Sequence, residues 1–126
     1  MPNRTDGKPE PITKIAFRYI HGNKLHGEDP EILAVMPEDP GTDDPFTCTC
    51  YAHMGQHGSC DVQVVMQRSR PARVLEYAGL KRELESIGYR IKVVKRIGLR
   101  QYLETRRKAL EKQTLAYIFR EEGITK

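Results

Sequence analysis

Between Lys14 and Ile20 this sequence alternates, with Ile15, Phe17 and Tyr19 on one side and Lys14, Ala16 and Arg18 on the other. A period of two marks a half-buried strand, so any fold open to the chain contains a sheet with a strand ending near Ile20. His21-Gly22-Asn23-Lys24 supplies turn chemistry, and a second strand is expected from Glu31 to Met36. The stretch Pro37 to Pro45, PEDPGTDDP, is acidic and broken by proline, which reads as an exposed loop. Phe46 to His53, with threonines and aromatics in β-friendly positions, reads as a third strand.

The period then changes. Asp61 is placed to cap a short helix running through Gln67, because Val62, Val65 and Met66 recur at helical spacing. Arg70-Pro71 is expected to open a longer helix with Leu75, Ala78, Leu80, Leu84 and Ile87 as its apolar stripe and Gly88 just past its end. Tyr89 to Ile97 alternates again as a fourth strand. Leu99 to Glu122 contains neither Pro nor Gly and predicts a long helix, with Leu99, Tyr102, Leu103, Leu110, Tyr117 and Ile118 apolar and Arg106 and Gln113 interrupting them.

This order predicts an α+β fold: a small antiparallel sheet, made of a three-stranded meander and a returning fourth strand, packed by a helix and followed by a long C-terminal helix. Residues 1–13, polar and proline-rich, are expected to be a disordered tail, 14–97 a single domain and 98–126 a helical extension. The 126 residues suffice for one modest core. No apolar run approaches the length of a membrane span. An odd cysteine count without an export signal predicts reduced thiols in a cytoplasm.

Reactive side chains concentrate in TCTCYAHMGQHGSC, Thr47 to Cys60, which holds all three cysteines and two of the four histidines. Three readings compete. Cys48, Cys50, His57 and Cys60 are a possible zinc set, with His53 a further donor, but structural zinc sites separate two close ligand pairs by about a dozen residues or more. Two cysteines two apart on a strand share a face and read equally as small core hydrophobes. A Cys/His enzyme is the second reading: Cys60 precedes a helix start, where the dipole favours thiolate. It lacks a recognisable base and orienting group, so no enzyme and no cofactor is expected. The third reading is a strand end and tight turn, with Gly55 and Gly58 supplying positive φ and His53, Gln56 and His57 forming a recognition surface.

The stretch FTCTCYAHMGQHGSCD, followed by SRPARVLEYAGLKRELESIGYRIKVVKRI, resembles a group of small uncharacterised proteins of bacterial phages, plasmids and related mobile elements. Their pattern joins a YxHxGQHG-like turn to an RPAxxxEYxxLxxELxxIGY helix and a basic strand, and the resemblance spans about residues 15 to 97. It highlights Tyr51, His53, Gly55, Gln56, His57, Gly58, Arg70, Pro71, Glu76, Tyr77 and Gly88. It implies a bacterial cytoplasmic accessory protein and carries over no activity. Arg73-Val74-Leu75 replaces the group's Thr-Pro-Glu helix start, which weakens the cap. The cysteines are less typical of the group than the turn, and the long final helix is an addition to it.

Charge separates the two halves. Residues 1–65 carry five Lys/Arg against ten Asp/Glu, whereas residues 66–126 carry sixteen against seven. Arg90, Lys92 and Arg96, sharing a strand face with Val94, and Arg106, Arg107 and Lys108 on the last helix, form a candidate basic face for nucleic acid. The competing readings are a solvated helix surface, an edge strand protected by charge, or attraction between the two halves. A protein partner is equally compatible. The expected helix is about 36 Å long, more than a small sheet covers. Residues 110–119 are therefore expected to project and to support a homodimer or a docked partner.

Overall fold

The computed structural model describes residues 11–22, 24–52, 56–98 and 100–121. Strands β1 (Ile12–Ile20), β2 (Glu31–Met36), β3 (Thr47–Ala52) and β4 (Gln56–Asp61) form an antiparallel meander. The outer edge of β1 is shared by two short strands. β5 (Ser69–Pro71) runs antiparallel to Arg18–Ile20, and β6 (Arg90–Val93) runs parallel to Ile12–Ile15. Helix α1 (Val62–Arg68) links β4 to β5, α2 (Val74–Ser86) links β5 to β6, and α3 (Leu103–Glu121) ends the described chain.

The α+β class and the long final helix are as expected, but the sheet has six strands rather than four. Gln56–Asp61, which includes glycine, serine and aspartate, pairs residue for residue with β3 and is held as a strand by that ladder. Arg70 and Pro71 do not open the helix. They pair with Tyr19 and Arg18, and the amide of Ala72 donates to the Phe17 carbonyl at 2.8 Å. The returning strand stops at Val93, short of the expected Ile97, and pairs in parallel because the chain crosses over through α2. That pairing also draws Ile12 and Thr13 into β1, so the expected tail ends earlier than residue 13. The remainder of the tail, residues 1–10, lies outside the described residues.

Both faces of the sheet are buried, which accounts for the apolar runs in β1 and β2. One face carries Ala16, Leu33, Val35, Cys48 and Cys50, covered by Val62 and Val65 of α1 and by Ile97. The opposite face carries Ile15, Phe17, Ala34, Met36 and Tyr51, covered by Leu80 and Leu84 of α2. Tyr77 extends that second cluster, its ring stacked on Phe17 at 4.5 Å. The inward stripe of α2 is therefore Tyr77, Leu80 and Leu84. Leu75, expected in the stripe, is 95% exposed. Five residues from Leu80 at 100° each turn it toward solvent.

Local chemistry sets the helix ends. Asp61 caps α1 as expected, its Oδ1 accepting the Val64 amide at 3.1 Å. Gly88 follows α2 with φ of 110°, a conformation open to glycine and costly for other residues. At the other end of α2, Arg73 has no side-chain acceptor to offer. Glu76 acts alone, accepting the Arg73 amide at 2.7 Å. The same carboxylate takes two hydrogen bonds from Arg70, at 2.9 and 2.7 Å, and the Arg70 guanidinium lies 4.0 Å from the Tyr19 ring centroid.

The Arg70 hydrogen bonds, with the Arg73 amide second, hold the Glu76 carboxyl at about 2. A depressed carboxyl stabilises the fold above its unfolded value, about 4.3, and loses that contribution as pH falls through about 2. Urea midpoints measured from pH 6 downward should show Glu76→Gln less stable than wild type near neutrality, with the gap closing between those two values. A gap that stays constant with pH would show that the Arg70–Glu76 pair does not contribute.

The loop Pro37–Pro45 is not simply exposed. Pro37 is fully buried, Thr49 donates its amide to the Asp39 carbonyl at 2.8 Å and its hydroxyl to the Pro40 carbonyl at 3.1 Å. The loop thus forms a lid on β3, and α3 rests on it. That helix starts at Leu103 rather than Leu99, after Tyr102 at φ of 65°. Leu99 lies outside the described residues. Leu103 and Arg106 are buried, Glu111 to Ile118 are exposed throughout, and Leu115, Tyr117 and Ile118 are 54%, 60% and 43% exposed. At the two ends of the expected projecting segment, Leu110 and Phe119 are half-buried; residues 122–126 lie outside the described part.

Candidate functional site

The β3–β4 ladder sorts the reactive cluster by face. Cys48 lies directly opposite Cys60, Cys50 opposite Gly58, and Tyr51 opposite His57. Cross-strand partners point to the same side of a sheet, so the three cysteines face α1 while His57 faces α2. The candidate zinc set Cys48, Cys50, His57 and Cys60 is therefore split across the sheet and does not converge. Among the described residues no three Cys, His, Asp or Glu side chains are placed to hold one metal ion. His53 lies outside the described residues, as do Met54 and Gly55.

Cys48 and Cys50 are buried in the core, as the strand pattern predicts, and Cys60 is half-buried. All three thiols are free, and the Sγ atoms of Cys48 and Cys60 lie 3.6 Å apart. The hydrogen bond to Cys48 and burial push the Cys60 thiol up to about 12. This reverses the expectation of a helix-activated Cys60: the seven-residue α1 is short, and its capping carboxylate, Asp61, adds negative charge beside the sulfur. Cys48 shifts the other way, lowered by the hydrogen bond from Cys60 and by the charge of Arg106. Contact with the Cys60 thiol, and then burial, keep Cys50 protonated.

On the opposite face His57 belongs to an aromatic and acidic group. Its ring meets Tyr51 edge-on at 4.6 Å, and its Nε2 lies 3.0 Å from the Tyr89 hydroxyl. Tyr51 in turn donates its hydroxyl to Glu83 of α2. Tyr51 is buried and His57 exposed, so the group runs from the core to the surface at the end of α2. The candidate recognition residues Gln56 and His57 thus lie on a strand rather than in a turn. Gly58 is also in the strand, without positive φ, and a Cβ there meets only Cys50 Sγ at 3.9 Å. The expectation that Gly58 needs a conformation closed to other residues is incorrect. Sequence reading missed Tyr89 and Glu83, which join this group only through the crossover of α2.

The basic residues divide as well. Arg90 and Lys92 are exposed on β6. Lys92 pairs in register with Lys14, whose ammonium lies 5.1 Å from the Tyr102 ring centroid, so Lys92 faces the side of the sheet on which α3 begins. Lys95 and Arg96 are exposed in the irregular stretch after β6, while Val94 turns inward against the α1-side core. Arg96 therefore does not share a strand face with Val94. Arg107 and Lys108 are exposed on α3, with Arg107 3.8 Å from Glu104. Among the described residues Lys92, Lys95, Arg96 and Lys108 form no ion pair.

Arg106 does not belong to that surface. It is fully buried, donating from Nε to the Pro45 carbonyl and from Nη1 to the Pro37 carbonyl, both at 2.6 Å. Its spacing from Leu103 and Leu110, three and four residues, places all three on one helix face, a signal present in the sequence. What looked like an interruption of the apolar stripe is the anchor of α3 on the proline loop. Arg18 is likewise buried, donating to the Ser69 hydroxyl and carbonyl at 2.9 Å each. Burial lowers the Arg18 pKa, and the charge of Arg96 adds to the effect.

No family model, curated protein or solved structure matches this chain. No helix among the described residues is long and apolar enough to cross a membrane.

Proposed function

We propose that this chain is a non-enzymatic binding module that engages a nucleic-acid backbone. The observation that carries the reading is the set of exposed cations Lys92 on the edge strand, Lys95 and Arg96 just after it and Lys108 on α3, none neutralised by an acid among the described residues. Arg90 and Arg107 extend it. Between residues 88 and 121 there are ten Lys/Arg and three Glu, so an anion meets little repulsion. Among the described residues His57 is not a base for Cys60: the Cys60 thiol is held protonated and His57 lies on the opposite face. Three free thiols fit a reducing bacterial cytoplasm, and an accessory role in a mobile element follows from the resemblance.

The test is binding of the full chain to a labelled duplex DNA and a single-stranded RNA at two salt concentrations. About five phosphate contacts weaken affinity by roughly 10²- to 10³-fold between 50 and 200 mM salt. The triple substitution Lys92→Glu, Lys95→Glu, Arg96→Glu should abolish binding while leaving the melting temperature nearly unchanged. Binding that ignores both salt and charge reversal would refute the reading.

A second reading, a protein partner or a homodimer, draws on a separate observation: Leu115, Tyr117 and Ile118 are exposed on the projecting part of α3. Truncation after Gln113 should then leave a folded monomer. A full-length chain that stays monomeric at high concentration, and unfolds when truncated, would exclude the dimer.

A further inference from the structure

We infer that Cys48 and Cys60 are a peroxide-responsive dithiol, closing to an intramolecular disulfide that ties β3 to β4. Three features of the geometry carry this. The two residues are directly opposed in the antiparallel ladder. Opposed residues have Cα atoms about 4.5–5.5 Å apart, inside the range a disulfide bridges without backbone movement. Their sulfurs are already 3.6 Å apart, so side-chain rotation brings them to the bond length of about 2.0 Å. Cys50 is the wrong partner. Its thiol also touches Cys60, but it is opposed to Gly58, and a diagonal pair has its Cα atoms about 7–8 Å apart, a poorer span for a disulfide than the direct Cys48–Cys60 pair.

The third feature is the buried cation beside the pair. Nη2 of Arg106 is buried and has no hydrogen-bond acceptor among the described residues. A buried, unpartnered guanidinium nitrogen is costly, and negative charge nearby offsets that cost. The charges of Cys48 and Cys60 both favour the charged form of Arg106, and Arg106 favours thiolate at Cys48. Of the pair, Cys48 gives up its proton the more readily and Cys60 keeps its own.

Cys48 is the sulfur that ionises, and half-buried Cys60 leaves the pair open to solvent on one side. The Cys48 thiolate attacks one oxygen of hydrogen peroxide, breaking the O–O bond and giving a sulfenic acid and hydroxide. The Cys60 sulfur then attacks the sulfenic sulfur, forming the S–S bond and expelling the hydroxyl group. The thiol proton and the displaced proton complete two waters. Both sulfurs are oxidised, and peroxide accepts the two electrons. Disulfide formation removes the negative charge facing Arg106, so the oxidation state reaches the residue that anchors α3.

The experiment treats the full-length protein with hydrogen peroxide, alkylates it in acid and maps the products by mass spectrometry. Three alkylatable thiols should fall to one, with a Cys48–Cys60 cross-link lacking two hydrogens and Cys50 alkylated; dithiothreitol should restore all three. Cys50→Ser should retain the cross-link and Cys48→Ser should lose it. The inference is overturned if three thiols survive a dose that oxidises the urea-unfolded chain. It is equally overturned if the cross-link joins Cys50 to Cys60 or two separate chains.

Discussion

Arg106→Ala should lower the melting temperature by roughly 10–15 °C, equivalent to about 3 kcal/mol in a domain of this size. The buried guanidinium satisfies two carbonyls, Pro37 and Pro45, and each left unpartnered away from water costs about 1–3 kcal/mol. The lost desolvation penalty of the cation offsets part of that cost. Arg107→Ala, one residue on and exposed, should change stability by less than about 0.5 kcal/mol. Arg106→Met separates the contributions, since it keeps most of the buried volume and loses the donors. Thermal melts followed by circular dichroism decide the matter. Equal melting temperatures for Arg106→Ala and Arg107→Ala would mean that α3 is not anchored through Arg106.

Gly41→Ala should be about as damaging. A Cβ at position 41 lies 2.5 Å from the Cys48 carbonyl oxygen and 2.6 Å from the Ser59 Cβ, both on the β3–β4 hairpin. Neither is the mobile end of a long side chain, so the loop must lift off the hairpin. Forcing such a contact costs about 1–3 kcal/mol, and the loss of loop packing around buried Pro37 adds to it. Gly79→Ala is the contrast. It is exposed in α2 with nothing within 4 Å of its Cβ, and should stabilise the protein by about 0.5–1 kcal/mol through helix propensity. A Gly41→Ala protein that melts with wild type would show that the proline loop does not pack closely on β3.

The proline loop also illustrates how far composition reaches. Three prolines and four acids in nine residues describe a segment that cannot be helix or inner strand. They do not tell whether that segment hangs in solvent or packs. Its packing depends on donors brought by residues remote in sequence, Thr49 on β3 and Arg106 on α3.

What the amino-acid order determined by itself was local. Alternation over Ile15 to Tyr19 and the apolar run Ile32 to Met36 placed β1 and β2, Asp61 placed the start of α1, and Gly88 marked the end of α2. These signals are legible because periodicity, capping and positive φ act within a few residues. Tertiary structure alone decided the rest. Gln56–Asp61 became a strand because β3 offers it a ladder, and Arg70-Pro71 became one because the edge of β1 was open. The ladder register put His57 and the three cysteines on opposite faces, and burial turned Arg106 from a surface charge into the anchor of α3. Each depends on which distant backbone groups need a partner, and a buried carbonyl left without a donor costs more than the local preference of the residue that supplies it.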